Sequence, residues 1–486
     1  MSRRAEMIVL FIIMLMALGV RLYFFQASPN LFSAECEDYS KIHLMLQWAQ
    51  SPLWYPDTNF GPLHTVLLWA TYKLTGSLVT GNRLMTLFFG LLMFFPVYRI
   101  TRRRLGEIEA LGATMFFAWM FPLTLASVST LSEAPFVCFV LLGFDLIDEM
   151  ELRVGTSWWR LVGAAIALNA ASAMRFEVWA LLPIIVIYVL IRRGWKEGLI
   201  LAVLLTALPL LHMYESWKRA GHPLEFLAIS AQMTALNTAA KPLWVRVVAL
   251  PMALGKTIGW PGLVLGLAGL AWSLRSRRLL LPIICGLAML AILEMKSINA
   301  TIEFDLLRYT ALVNALMGLF VAVPMVRLVR WRTDRTWLIG LCAFIALAIA
   351  AGFSQANGMR EIRLLEPTRE AFALLEKLKP ELKPDDRILI GSEYHPLIVV
   401  NSGLRWSNFR RPAYSEGIQV DQSEIARTFT EWKPTLILAD KTEPLFTEVL
   451  KLPMAGEGEV DLFGRRYRCE WGIARWNVWR LVEPAS

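Results

Sequence analysis

The sequence predicts an all-α polytopic membrane domain followed by a smaller α/β domain. Three observations carry this. Of the 486 residues, 56% are hydrophobic and 18% charged, where a soluble domain carries about 25% charged residues. The apolar residues fall in blocks, many of about 18–22 residues, the length a helix needs to cross a bilayer. After about residue 355 the apolar runs shorten and charge rises. The domains are accordingly 1–354, with an acidic first outer loop at 26–80, and 355–486.

The formal net charge of +9 needs no polyanionic partner. Lys and Arg collect in short loops between apolar blocks, as the positive-inside rule expects. No nucleic-acid-binding motif is present, so nucleic acid is excluded as a partner. The five cysteines, at 36, 138, 285, 342 and 469, have no CxxC or metal-ligand spacing. Cys36 and Cys469 could share the outer side, but no spacing fixes a bond between them.

Eleven crossings follow from the apolar runs, oriented by the basic loops. The first spans about 7–25. It carries Arg3 and Arg4 before it and no small-x-small site before Arg21, so it reads as a retained helix rather than a cleaved signal. The second, 81–99, ends at Arg99 and Arg102–Arg104. The third, 109–127, leads to Ser129, Ser132 and Glu133, and the fourth, 134–149, returns. A pair at 159–174 and 177–191 turns tightly at Arg175 and Glu177. The seventh is at 197–214, the eighth at 250–273, the ninth at 279–295, the tenth at 306–326 and the eleventh at 336–353. Every inferred inner loop is basic. The N-terminus is expected in the cytoplasm and the C-terminal domain outside. The block 62–75 is short for a crossing and suits the interface.

In the C-terminal part, 368–378 has helical periodicity. The runs 387–390 and 435–438 read as buried strands, 422–432 as a helix between them, and 464–481 as two strands with a turn. The strand edge in ILIGSEYHP looks like that of a sugar-nucleotide fold; a packing domain without a site is the simpler reading.

Chemistry points to the outer side. Glu35, Glu37 and Asp38 stand just past the first apolar segment, where charges are costly unless they face water, a metal or a substrate. If Glu35 begins a helical turn, Asp38 shares its face. Glu133 stands just before the fourth helix. Such carboxylates can take a proton from an acceptor hydroxyl or bind a divalent cation that neutralises a diphosphate. Others at this level are solvated loop charges. Arg175 in SAMRFEVWA and Arg308 in DLLRYTAL can pair with phosphate. The bland readings are an Arg–Glu pair, a snorkelling side chain, or an interfacial anchor. His43 and His64 flank the acidic stretch as possible ligands or bases, though a lone His is more often a packing residue. No P-loop, His-Glu-x-x-His or Gly-x-Ser-x-Gly is present.

These motifs, in this order, resemble the GT-C membrane glycosyltransferases, in the bacterial branch with protein O-mannosyltransferases and lipid A aminoarabinose transferases. The resemblance covers about residues 7–330. The positions that match the family pattern are Glu35-Cys36, Tyr39, Gly61-Pro62-Leu63 leading to His64, Gly76, Arg83-Leu84, Glu133, Arg175 to Glu177, and Arg308-Tyr309. The family's usual Asp-Glu pair is replaced here, and Glu35, Glu37 or Asp38 fills the base position.

The resemblance implies catalysis by Glu35, Glu37, Asp38 and Glu133, and substrate binding by Arg175, Glu177, Arg308, Tyr309, Tyr39 and His64. It implies a plasma (bacterial inner) membrane enzyme that moves a sugar from a polyprenyl-phosphate donor to a lipid, polysaccharide or protein acceptor on the outer face. Displacement would be inverting, with a carboxylate base. Some members use a divalent cation and others none, so the metal stays open. Two other classes compete. A flippase or transporter of lipid-linked glycan would need polar residues inside its helices, and few are present. A non-catalytic scaffold would tolerate loss of every outer acid.

Overall fold

The computed structural model describes residues 2–27, 37–50, 61–152, 158–225, 227, 241–299, 307–332, 366–391, 395–410, 422–441, 443, 445–453 and 458–482, with short helical pieces inside 340–352. It divides into two compact units: Met1–Asn30 with Pro52–Ile362, and Leu31–Ser51 with Arg363–Ser486.

The first unit is helical. Its opening helices are α1 (Arg3–Ala27), α3 (Pro62–Thr75), α4 (Thr80–Leu92), α5 (Phe94–Arg104), α6 (Glu107–Trp119), α7 (Phe121–Val128) and α8 (Glu133–Leu152). Then come α9 (Trp158–Ser172), α10 (Leu182–Arg193) and α11 (Trp195–Ala220). The last are α12 (Leu243–Ile258), α13 (Trp260–Ser276), α14 (Leu280–Ile298), α15 (Ala311–Gly318) and α16 (Ala322–Arg332). Phe94, Phe116, Phe117, Phe144 and Phe320 fill its core. Phe11, Ile166, Val203, Leu210 and Val264 are exposed on helix surfaces, which suits contact with lipid.

Among the described residues four helices are long and apolar enough to cross a membrane, and six if each bent pair counts as one. The expected eleven crossings differ because several apolar runs are interrupted. The eighth is two helices, α12 and α13, bent by 107°. Gly259 between them has φ +79°, and Pro261 opens the next helix. The third is α6 and α7, bent by 58°. The tenth divides into a 3-10 turn (Leu307–Thr310), α15 and α16. The eleventh lies mostly outside the described residues.

The α6–α7 break has a chemical cause and a chemical remedy. Pro122 has no N–H for the Ala118 carbonyl four residues earlier. Arg21, fully buried in α1, supplies the donor. Its Nη1 donates to the carbonyls of Ala118 and Ala17, each at 3.2 Å, and its Nε to Ser127 Oγ at 3.3 Å. The guanidinium lies over the Phe94 ring, 5.0 Å from its centre. One turn beyond, buried Arg83 donates to the carbonyls of Val128 (2.6 Å) and Phe25 (2.9 Å). Thr86 donates to the Ser129 carbonyl. Together they fix the turn that leads into Glu133.

The basic end of α5 meets an acidic end of α8. Arg103 reaches Asp148 at 2.8 Å and also pairs with Asp145. Arg99 meets Glu149 at 2.7 Å, which also takes Arg160 at 3.0 Å. Arg104 meets Glu151 at 2.6 Å, and Tyr188 donates to the same carboxylate at 2.7 Å. Arg102 clasps buried Glu6 at 2.6 and 3.0 Å. The acids in DLIDEMEL thus neutralise arginines that the sequence presents only as a basic loop.

The second unit is an α/β domain built from two pieces of chain. Its helices are α2 (Glu37–Gln50), α17 (Glu366–Leu378), α18 (His395–Ser402) and α19 (Gln422–Arg427), the last continuing as a wider turn over Thr428–Trp432. The strands are β1 (Ile388–Ile390), β2 (Phe409–Arg410), β3 (Leu436–Asp440), β4 (Glu459–Leu462), β5 (Arg465–Ile473) and β6 (Trp476–Leu481), in sheet order β2-β1-β3-β6-β5-β4. β1 runs parallel to β2 and β3, and the rest pair antiparallel. The expected helix at 368–378 and the strands at 387–390, 435–438 and 464–481 are all present within a few residues. β2 and β4 are additional. The sequence groups the first outer loop with the membrane domain; by contacts, Leu31–Ser51 clusters with the C-terminal segment. The reason is the apolar face of α2, where Ile42 and Met45 are fully buried.

Tyr467 sits in the domain core and donates to the Pro434 carbonyl at 2.8 Å. Burial pushes its phenol above the usual tyrosine value. The unfolded chain therefore loses this proton first as pH rises. The stability it contributes is complete below about pH 10 and is lost above it. Tyr467→Phe is expected to flatten the alkaline limb of a melting-temperature profile between about pH 9 and 12. An unchanged limb would show that the phenol does not titrate there.

Candidate active site

The described candidates converge on the turn between α9 and α10. Helix α9 ends with backbone N–H groups of Ala173, Met174 and Arg175 folding back onto Asn169 and Ala171. Arg175 is extended (φ −148°, ψ 138°), a 3-10 turn follows over Phe176–Ala180, and Pro183 sits in the first turn of α10. This break in helix aims the Arg175 side chain at the N-terminus of α8.

There Arg175 is clamped by two carboxylates. Nη2 meets Glu177 Oε1 at 2.5 Å, Nε donates to both Glu177 oxygens at 3.1 and 3.3 Å, and Nη1 donates to Glu133 Oε1. Glu133 is 2% exposed. It occupies the first turn of α8, where a negative charge complements the helix dipole. Its Oε2 has no hydrogen-bond partner. The guanidinium faces the Tyr309 ring at 5.7 Å and the Phe136 ring at 5.9 Å. Tyr309 belongs to the 3-10 turn before α15. Asn314 braces that turn: it receives Thr257 Oγ1 at 3.3 Å and donates to Thr310 Oγ1 at 2.9 Å.

The clamp uses three of the five N–H bonds of the arginine. Among the described residues one N–H on each terminal nitrogen has no acceptor, a pair of the kind that suits a phosphate oxygen. Arg175 thus forms the Arg–Glu pair that the sequence offers as the simpler of its readings, and takes Glu133 as a second partner.

The Gly61-Pro62-Leu63 segment docks beside this turn. Leu63 N–H donates to the Ala173 carbonyl at 3.0 Å, and a Cβ on Gly61 would stand 2.2 Å from that oxygen. Pro62 starts α3 and Gly76 caps it with φ +69°. His64 is buried at 4% exposure, two residues into the helix. Gly61→Ala is expected to force the segment off Ala173 and cost about 1–3 kcal/mol, read as a lower melting temperature in detergent. Wild-type melting would mean that the backbone can yield there.

Phe176 and Trp179 enclose His212 of α11, with Phe176–His212 ring centres 4.5 Å apart. Phe136, Asn314 and Thr257 were not singled out by the sequence. Their signal was faint: an aromatic and two polar residues inside apolar helices.

The other candidates are less fully placed. Glu35 and Cys36 lie outside the described residues. Glu37, Asp38 and Tyr39 are in the first turn of α2, and Arg308 is in the 3-10 turn before α15; these four are described by backbone alone. Among the described residues no three His, Cys, Asp or Glu side chains gather to hold a metal ion. Glu133 and Glu177 turn toward Arg175 instead.

A family model described as dolichyl-phosphate-mannose-protein mannosyltransferase matches residues 59–217. That stretch contains Glu133, Arg175 and Glu177. The chain has the fold of the GT-C membrane glycosyltransferases.

Among solved structures, ArnT from Cupriavidus metallidurans in the apo state superposes with a TM-score of 0.65 at 13% identity, covering 98% of each chain. The same protein bound to undecaprenyl phosphate gives 0.65 and 13%, covering 97% of this chain and 98% of that one. The Archaeoglobus fulgidus oligosaccharyltransferase in its apo form gives 0.59 and 14%, covering 98% of this chain and 75% of that one. No curated protein sequence matches.

Proposed function

We propose that this protein is an integral membrane glycosyltransferase that moves a sugar from a polyprenyl-phosphate-type lipid to an acceptor on the outer face. The observation that carries the reading is Arg175, part-buried, fixed by Glu133 and Glu177, with two N–H groups unspent among the described residues. The relatives' ligands support the donor class: undecaprenyl phosphate in ArnT, and a dolichol-phosphate in the A. fulgidus oligosaccharyltransferase AglB.

In this reaction an acceptor hydroxyl oxygen attacks the anomeric carbon as the bond to the phosphate oxygen breaks. The hydroxyl proton passes to a first-loop carboxylate, Glu35, Glu37 or Asp38, and inversion follows from single displacement. Arg175, with Arg308, stabilises the negative charge growing on the departing polyprenyl phosphate. Glu133 and Glu177 hold the guanidinium. Tyr309 walls the guanidinium. Tyr39 and His64 are assigned to the substrate. Any divalent cation would act through the first-loop acids.

The test is transfer from a labelled polyprenyl-phosphate sugar by purified protein in lipid, comparing wild type with Glu35→Ala, Glu37→Ala, Asp38→Ala and Glu133→Gln. One first-loop variant should lose turnover with donor binding intact, and the product should carry the opposite anomeric configuration. Absence of transfer from every donor, with lipid binding retained in all variants, would favour a flippase or scaffold.

A further inference from the structure

The guanidinium of Arg175 is walled by two rings that are not equally secured. Phe136 lies inside α8, three residues past Glu133. Tyr309 stands on the 3-10 turn Leu307–Thr310, a form of helix with poor hydrogen-bond geometry that is used in short pieces. A polar strut ties this turn to the helices around it. Asn314 Nδ2 donates to Thr310 Oγ1 at 2.9 Å, and Asn314 Oδ1 accepts from Thr257 Oγ1 at 3.3 Å. Thr257 is in the last turn of α12, two residues before the bend at Gly259, and α12 packs against the Tyr309 turn. All of these residues belong to the first unit.

Asn314 and Thr310 are fully buried, and Thr257 is 2% exposed. Asn314 stands in an otherwise apolar helix, ALVNALMG. Stability does not account for it, because replacing buried hydrogen-bonded partners by apolar groups of the same shape is nearly neutral or favourable. What the strut adds is direction: it fixes the turn at one point and in one orientation. We propose that Asn314 is a positioning residue of the active site, which with Thr257 holds the Tyr309 ring against Arg175 and so keeps water off the guanidinium. In drier surroundings the arginine acts on a departing phosphate through a lower dielectric, and its charge counts for more. This rests on the reading that Arg175 stabilises the leaving phosphate.

The test uses the full-length protein in lipid and the labelled polyprenyl-phosphate sugar that supports transfer. Three readouts are taken: melting temperature, hydrogen exchange by segment and steady-state transfer. In Asn314→Leu the Thr257 hydroxyl keeps the Ala253 carbonyl at 2.9 Å, so the protein should melt within about 3 °C of wild type. Exchange at 307–310 should rise. Both kcat and kcat/KM should fall together by about tenfold, with the donor KM changed less than about twofold. Thr257→Val strands the buried Asn314 oxygen and should melt lower than Asn314→Leu. Thr257→Ser keeps the hydroxyl and should match the wild type in exchange and turnover.

Wild-type turnover in Asn314→Leu would overturn the proposal. So would turnover that simply follows melting temperature across the variants, which is what a merely structural bond would give. Should Asn314→Leu fail to fold, Thr257→Val is compared with Thr257→Ser at a temperature where both are folded, and equal kcat would overturn the proposal. A wild type inactive with every donor would sink the glycosyltransferase reading itself, and exchange at 307–310 would then still report whether the strut holds Tyr309 in place.

Discussion

Arg175→Met should destabilise the protein by about 3–5 kcal/mol, because it strands two carboxylates that now share one guanidinium. Glu133 is 2% exposed and Glu177 keeps a fifth of its side-chain surface, so Glu133 suffers most. Arg175→Lys preserves the charge but not the fork, and cannot hold both acids while presenting two further donors. It should melt closer to wild type and still lose turnover. Arg175→Met combined with Glu133→Gln and Glu177→Gln should regain most of the lost stability without regaining activity. Melting temperatures in detergent and donor turnover check all three. An Arg175→Met protein that melts with the wild type would show that the clamp is worth nothing.

The second large effect concerns Arg21. In Arg21→Met the Ala118 carbonyl loses its donor inside the core, a cost of about 1–3 kcal/mol. Pro122→Ala restores a backbone N–H at the position where the carbonyl would normally find one. The two substitutions should therefore couple: Arg21→Met should cost less in the Pro122→Ala background than in the wild type. Strict additivity across the double-mutant cycle would mean that the Arg21–Ala118 bond and the break at Pro122 are unrelated.

How much of this was legible beforehand depends on the distance over which each feature is written. The Arg-Phe-Glu turn, the acid at the start of α8 and the Arg308-Tyr309 step are local patterns, and the sequence shows them in order. The Glu133–Arg175 pairing joins residues 42 apart, and no periodicity encodes it. The α5–α8 ion pairs lay open in RITRRR and DLIDEMEL, but opposite charges on separate helices become partners only when packing sets them face to face. Arg21 was visible as a lone cation in an apolar run; its explanation needed Pro122, a hundred residues on. The bend at Gly259 had a signal in Gly-Trp-Pro, which a count of apolar residues passes over.

The two-piece construction of the C-terminal domain also has a consequence in time. Helix α2 leaves the ribosome early, and it packs on α18, made from chain beyond Arg363. The intervening residues 52–362 take roughly 15–60 s to synthesise at about 5–20 residues per second. Throughout that interval Ile42 and Met45 have no partner of their own. Completion of the domain is thus paced by translation, and a chain cut short before α18 would leave an amphipathic helix unclaimed.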